Sequence, residues 1–161
     1  MMEDEDIKEY HKIVDELQKT YRPLPDSLTI KQSPIEGLGL YAAKDIKANL
    51  YIGLTHILDE RFENNYLRTP LGGFYNHTDN PNTQRMVTNV LPKLKFGDKA
   101  PNSDEKSKIK NIEGSREHLY PNVYARFMYL VTIKDIKAGE ELSANYNLYT
   151  YPKTGVGFQS L

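Results

Sequence analysis

The stretch Leu71-Gly72-Gly73-Phe74-Tyr75-Asn76-His77-Thr78-Asp79-Asn80-Pro81-Asn82 decides the fold of this chain. It runs apolar and glycine-rich to Tyr75, then changes within one residue to amide and imidazole side chains. Asn76 and His77 supply directed donors and acceptors. The Asp79-Asn80-Pro81-Asn82 segment makes a rigid turn able to present them. A metal is not indicated, because His11, His56 and His118 lie at no ligand spacing and the chain has no Cys to complete a site.

Toward the N-terminus stands Gly37-Leu38-Gly39-Leu40, where two glycines let the backbone approach a ligand closely or take up positive φ. It is not a dinucleotide fingerprint, since no third glycine follows at the required spacing and the next residues read as a strand. Toward the C-terminus stands Ile136-Lys137-Ala138-Gly139-Glu140-Glu141-Leu142-Ser143-Ala144-Asn145-Tyr146. Gly139 makes a turn, Glu140 and Glu141 are charges at its exposed end, and Leu142 begins an extended run that ends on Tyr146. Taken singly, these segments also read as a strand-entry turn and an ordinary hairpin.

The surroundings have the rhythm of a β domain. Short runs at 28–31, 38–42, 50–58, 85–91 and 123–133 are separated by turn signals such as Ser33-Pro34, Ala48-Asn49 and Ala138-Gly139. A short helix at about 59–68 is weakly signalled. Before the strands, Ile7, Tyr10, Ile13, Val14, Leu17 and Tyr21 recur at helical spacing, which predicts an amphipathic helix over about 5–20, stopped by Pro23 and Pro25. Its apolar stripe must dock either on its own domain or on a second copy of the chain. The expected organisation is a helix and linker at 1–25, a main domain at 26–151 with a hairpin insertion at about 92–121, and a tail at 152–161.

Composition narrows the chemistry. At 161 residues and 18.6 kDa the chain buries about 69% of its unfolded surface, enough for one core. With 21 basic against 22 acidic side chains there is no net field to hold it on a nucleic acid or an anionic membrane. Absence of Cys excludes disulfides, thiolate zinc sites and cysteine nucleophiles. With no Trp and 12 Tyr, most aromatic rings carry a hydroxyl. No apolar stretch is long enough to span a bilayer, and the acidic opening is unlike a cleaved signal. The chain therefore reads as soluble and intracellular, either cytoplasmic or, for a viral protein, within the host cell. One local exception to neutrality is 93–110, where six Lys face Asp98, Asp104 and Glu105. It is either a solvated hairpin or a flap over a groove that would attract an acidic partner and repel a basic peptide.

Together and in this order, three segments resemble the SET domain of protein lysine methyltransferases. The run Ile35-Glu36-Gly37-Leu38-Gly39-Leu40-Tyr41-Ala42-Ala43-Lys44-Asp45-Ile46 is similar to the family's opening motif. Asn76-His77-Thr78 with Pro81-Asn82 is similar to its Asn-His motif, and Gly139-Glu140-Glu141-Leu142 to Tyr146 to its closing motif. The resemblance spans roughly 28–151. It implies a mainly β fold with little helix, the β-clip of small curved sheets whose closing segment is threaded through a loop as a pseudoknot. It also implies transfer of a methyl group from S-adenosylmethionine to a lysine of a protein or peptide substrate, with no metal. The rival reading is a SET module that is catalytically weak or inactive and works by protein interaction.

Residue by residue, the resemblance implies cofactor contacts from Gly37, Leu38 and Gly39, with Asn76 on the cofactor's amino group and the main chain around His77 on its adenine. Tyr146 is implied as the catalytic tyrosine. The implied substrate channel takes in Tyr66, Ala144, Tyr149 and Tyr151, with a core tyrosine as the alternative for Tyr66. Thr78 stands where serine is usual and Asn49 where glycine is common, a tolerable change because Asn accepts left-handed turns. Ala144 is smaller than the residue many members carry there, which implies room for higher methylation states. Lacking the cysteine-rich zinc lid of many relatives, the chain resembles small viral and bacterial members, and Tyr149, Tyr151 and Phe158 of the tail, or a second chain in a homodimer, must close the channel. Nucleic acid and membrane are not expected partners.

Overall fold

The computed structural model describes residues 4–20, 24–62, 65–101, 109–110, 126–150 and 158–159. Tyr21, most of the expected 92–121 hairpin, the start of the 123–133 run, His118 and Tyr151 lie outside the described residues, as do the side chains of Leu17, Tyr149 and Phe158. Among the described residues, no helix is long and apolar enough to cross a membrane.

Helix α1 spans Asp4–Thr20 and opens on Asp4, Glu5 and Asp6, whose charges suit the positive end of the helix dipole. Its stripe docks on the chain's own domain. Tyr10 and Val14 are buried among Tyr51, Leu54, Ile57, Met86 and Phe127. Tyr10 lies 6.0 Å from the Phe127 ring and donates its hydroxyl to the Arg126 carbonyl at 3.2 Å. Polar contacts frame the same seam: His11 Nε2 lies 2.8 Å from Glu60, and Arg61 reaches Asp15 at 3.1 Å and Asp59 at 2.7 Å. His11, Asp59 and Glu60 thus gather three groups able to ligate a cation. The Asp59 carboxylate, however, is already engaged by the Arg61 guanidinium, so the cluster reads as a clamp on the helix.

Twelve strands follow among the described residues. Strands β1 (Leu28–Gln32), β2 (Leu38–Ala42), β5 (Asn76–His77) and β10 (Glu141–Ala144) form one sheet in the order β1-β2-β10-β5. Strands β3 (Tyr51–Leu58), β4 (Tyr66–Arg68), β6 (Thr83–Thr88) and β9 (Phe127–Thr132) form a second in the order β4-β3-β9-β6. Two short pairs complete the set: β7 (Leu91–Pro92) with β12 (Phe158–Gln159), and β8 (Ile109–Lys110) with β11 (Leu148–Tyr149). The fold is mainly β with one N-terminal helix, as expected.

Two apolar clusters replace the single core expected from chain length. Strand side chains alternate between faces, so β9 sends Leu130 into one cluster with Leu40, Ile52 and Leu142, and sends Phe127, Tyr129 and Val131 into the cluster under α1. All six β9 residues are buried. Asn49 takes φ 64°, the left-handed turn that its side chain tolerates.

No helix forms at 66–68, where the weak signal at 59–68 pointed to one. Instead β4 turns back antiparallel on β3, pairing Leu58 with Tyr66 and His56 with Arg68. Asn65 at φ 66° allows the reversal, and the Asp59 carboxylate accepts from the Arg61 N–H at 3.1 Å inside the turn. Strand pairing on an edge of β3 outweighs the local propensity.

Candidate active site

Strand β10 carries the closing segment between two strands from much earlier in the chain. It runs antiparallel to β2, pairing Leu142 with Leu40, and parallel to β5, pairing Ser143 with Asn76 and Ala144 with His77. Asn82 fixes it from the rigid turn. Its Nδ2 donates to the Glu141 carbonyl at 2.8 Å, and its Oδ1 accepts from the Ser143 N–H at 3.0 Å. The Thr83 hydroxyl donates to the Ser143 carbonyl at 2.7 Å, and the Thr78 N–H to the Ala144 carbonyl at 3.0 Å.

That crossing delivers Tyr146 to the Asn-His stretch. The Tyr146 N–H donates to His77 Nδ1 at 2.9 Å, 69 positions away in sequence. His77 Nδ1 is therefore unprotonated, and the ring proton sits on Nε2, which faces Asp79 at 3.4 Å. The Tyr146 hydroxyl donates to the Tyr75 carbonyl. Its ring meets Tyr75 edge-on at 5.6 Å and His77 at 5.2 Å. Arg85 also lies against these rings: its guanidinium is 5.3 Å from the Tyr146 ring centre and 6.0 Å from that of Tyr75. It also donates to the Tyr146 carbonyl at 3.0 Å.

The electrostatics follow from these neighbours. Burial of the hydroxyl end, then the neighbouring Tyr75, push the Tyr146 phenol above its ordinary value against the opposing charges of Arg85 and Arg68. Tyr146 is thus a neutral phenol at physiological pH and acts as a hydrogen-bonding group. Nearby His56 is pushed down to about 3, first by burial and then by Arg85 and Arg68.

A second polar group lies around Asn76. Its Nδ2 has four oxygens within reach: Ser33 Oγ at 3.1 Å, the carbonyls of Glu36 at 3.3 Å and Leu38 at 3.2 Å, and Glu141 Oε2 at 2.8 Å. Gly37 takes φ 46°, and Gly39 provides the close approach: a Cβ there would lie 2.2 Å from Glu141 Oε2. Of this glycine pair, Gly37 takes positive φ, and Gly39 makes its close approach to the Glu141 side chain. Leu38 and Ile35 are exposed at the rim of the group.

Gly37, Leu38, Gly39, Asn76, His77 and Tyr146 thus converge on one end of the first sheet. Tyr66 packs on the cluster under α1 and faces His56 edge-on at 6.0 Å. The ring edge-on to Tyr146 is that of Tyr75, which directly precedes Asn76 in the sequence. Ala144 is fully buried in the first core cluster. Tyr149 pairs its backbone with Ile109, and Phe158 with Pro92.

Glu141 requires a correction. It was expected at the exposed end of a turn, and Glu140 does remain there, accepting from the Lys137 N–H at 2.7 Å. Glu141 is the first residue of β10 and turns its carboxylate onto Ser33 and Asn76. The signal was period-two alternation: Leu142 and Ala144 point into the core, so Glu141 and Ser143 take the other face. Ser33 and Arg85 carried no comparable signal, because their contacts arise only across the fold.

A sequence model of the family described as "SET domain" matches residues 37–147. Among solved structures, a candidate histone methyltransferase of Plasmodium falciparum is 18% identical with a TM-score of 0.46, covering 77% of this chain and 96% of that one. The humanized mutant of the Chaetomium thermophilum Polycomb Repressive Complex 2 bound to the inhibitor GSK126 is 18% identical with a TM-score of 0.40, covering 96% of this chain and 19% of that one. This chain therefore spans about a fifth of the length of the second. No curated protein matches it.

Proposed function

The chain belongs to the SET-domain family of protein lysine methyltransferases, and from that premise we propose that it transfers a methyl group from S-adenosylmethionine to a lysine amine of a protein substrate. The observation that carries this reading is the arrival of Tyr146 beside Asn76-His77, with its backbone on His77 and its hydroxyl on the Tyr75 carbonyl.

The residues present fit the cofactor. Four oxygens surround the Asn76 amide nitrogen, more than its two protons can serve. Such a cradle suits the amino-acid end of S-adenosylmethionine, held by Asn76 and the backbone of 36–39. The main chain around His77 would meet the adenine. When bound, S-adenosylmethionine supplies an electrophilic methyl group on sulfur.

The chain's own contribution is to align the amine and keep it uncharged. In-line displacement needs the lysine lone pair free and aimed. The Tyr75 carbonyl can accept an amine N–H, and the neutral Tyr146 hydroxyl can orient the nitrogen. Arg85 places a positive charge beside both rings, which disfavours a protonated amine at that spot.

Two measurements test the reading. Calorimetry should detect binding of S-adenosylhomocysteine, and methyl-labelled S-adenosylmethionine should label proteins of a cell lysate. Tyr146→Phe should bind the cofactor product but transfer at least about 100-fold more slowly. No cofactor binding overturns the proposal, as does a Tyr146→Phe variant with undiminished transfer. Binding without transfer by the native chain favours the protein-interaction reading.

A further inference from the structure

We propose that Glu141 is the anionic partner of the cofactor's α-ammonium group, making this carboxylate a cofactor-binding residue of the chain. The inference rests on the S-adenosylmethionine reading above and adds to it a charge that the family motifs did not assign.

Glu141 carries a carboxylate turned toward the cradle, with Ser33 and Asn76 as partners and the Tyr41 hydroxyl beside it. The Ser33 hydroxyl lies 2.9 Å from Oε1 and 2.8 Å from Oε2, and Asn76 Nδ2 lies 2.8 Å from Oε2. All three groups are neutral. Among the described residues, no Lys, Arg or His comes within ion-pairing distance of this carboxylate, whereas Asp59 at the helix seam is answered by Arg61. A half-buried carboxylate held by neutral donors leaves room for a cation to pair with it.

The geometry around it matches an ammonium. The Ser33 oxygen is itself fixed, accepting from the Ile35 N–H at 3.0 Å and from Asn76. The carbonyls of Glu36 and Leu38 face the same point. An ammonium has three protons to give, against two on the amide now at that spot, and a formal charge that the amide lacks. Gly39 admits the carboxylate, since any larger residue would put a Cβ 2.2 Å from Oε2. With its nitrogen displaced, Asn76 can turn its Oδ1 to the same cation.

Calorimetric titration of the full chain with two probes tests the charge: S-adenosylhomocysteine, and its analogue lacking only the α-amine. The native chain should bind S-adenosylhomocysteine more tightly than the analogue. Glu141→Gln, nearly the same shape without the charge, should weaken S-adenosylhomocysteine by about 10- to 100-fold and leave the analogue unchanged. Ser33→Ala, which loosens the carboxylate and removes one oxygen of the cradle, should act in the same direction by about 3- to 10-fold. Equal affinity of native and Glu141→Gln chains for S-adenosylhomocysteine overturns the inference, and so does an equal loss for both probes. Native chain that binds neither probe overturns the cofactor reading itself.

Discussion

His56 illustrates how a single side chain reports its surroundings. Its Nδ1 lies 3.0 Å from the Thr55 hydroxyl, its ring faces Tyr66, and Arg85 and Arg68 are near enough to repel a proton. Because its folded value of about 3 lies below the ordinary 6.5, the unfolded chain binds a proton in that interval that the folded chain does not. Stability is therefore complete above the ordinary value and declines as pH falls through the interval. Urea midpoints at about pH 7 and about pH 4.5 should show this loss in the native chain and a smaller one in His56→Gln; equal losses would contradict it. None of this was legible at position 56, since both arginines reach it through strand pairing. Asn49 is the opposite case: its left-handed turn follows from a side chain that tolerates it, whatever lies across the fold.

At the scale of the element, α1 shows what periodicity can and cannot establish. The spacing of Ile7, Tyr10, Ile13 and Val14 places the helix and its apolar face, yet leaves two surfaces on which that face could dock. Tyr10 and Val14 settle on Phe127 and its neighbours within the same chain. Val14→Ala should therefore cost about 1–2 kcal/mol in chemical denaturation. The loss should not vary with protein concentration, as it would if the stripe lay against a second copy. Strand β2 formed as read, over Leu38–Ala42. Strand β4 did not, because three residues with no strong pattern of their own pair with β3 only after the chain reverses at Asn65.

At the scale of the whole molecule, the decisive event is the passage of β10 between β2 and β5. Asn82 secures it by bonding the backbone on both sides of Leu142, to the Glu141 carbonyl and the Ser143 N–H. Asn82→Ala would leave both groups without these partners and should lower stability by about 2–4 kcal/mol, measured by urea unfolding. Asn80→Ala, whose side chain only accepts from exposed Lys134 at 2.9 Å, should change it by less than about 0.5 kcal/mol. Equal effects of the two substitutions would remove Asn82 from its assigned place in the crossing.

What the sequence determined by itself was local: the helix, the short strands, the turn residues, and three segments whose order pointed to the family. Each depends on neighbours within a few positions, where backbone preference and side-chain periodicity act directly. The tertiary structure alone decided which side chains meet. It put the Tyr75 ring edge-on to Tyr146, laid Arg85 over both rings, and turned Glu141 from an apparent surface charge into the carboxylate beside Ser33 and Asn76. Apart from Arg85 with Tyr75, these contacts join residues far apart in sequence, from 61 positions for Arg85 with Tyr146 to 108 for Ser33 with Glu141. Local propensity carries no information over such distances, whereas burial and strand pairing do.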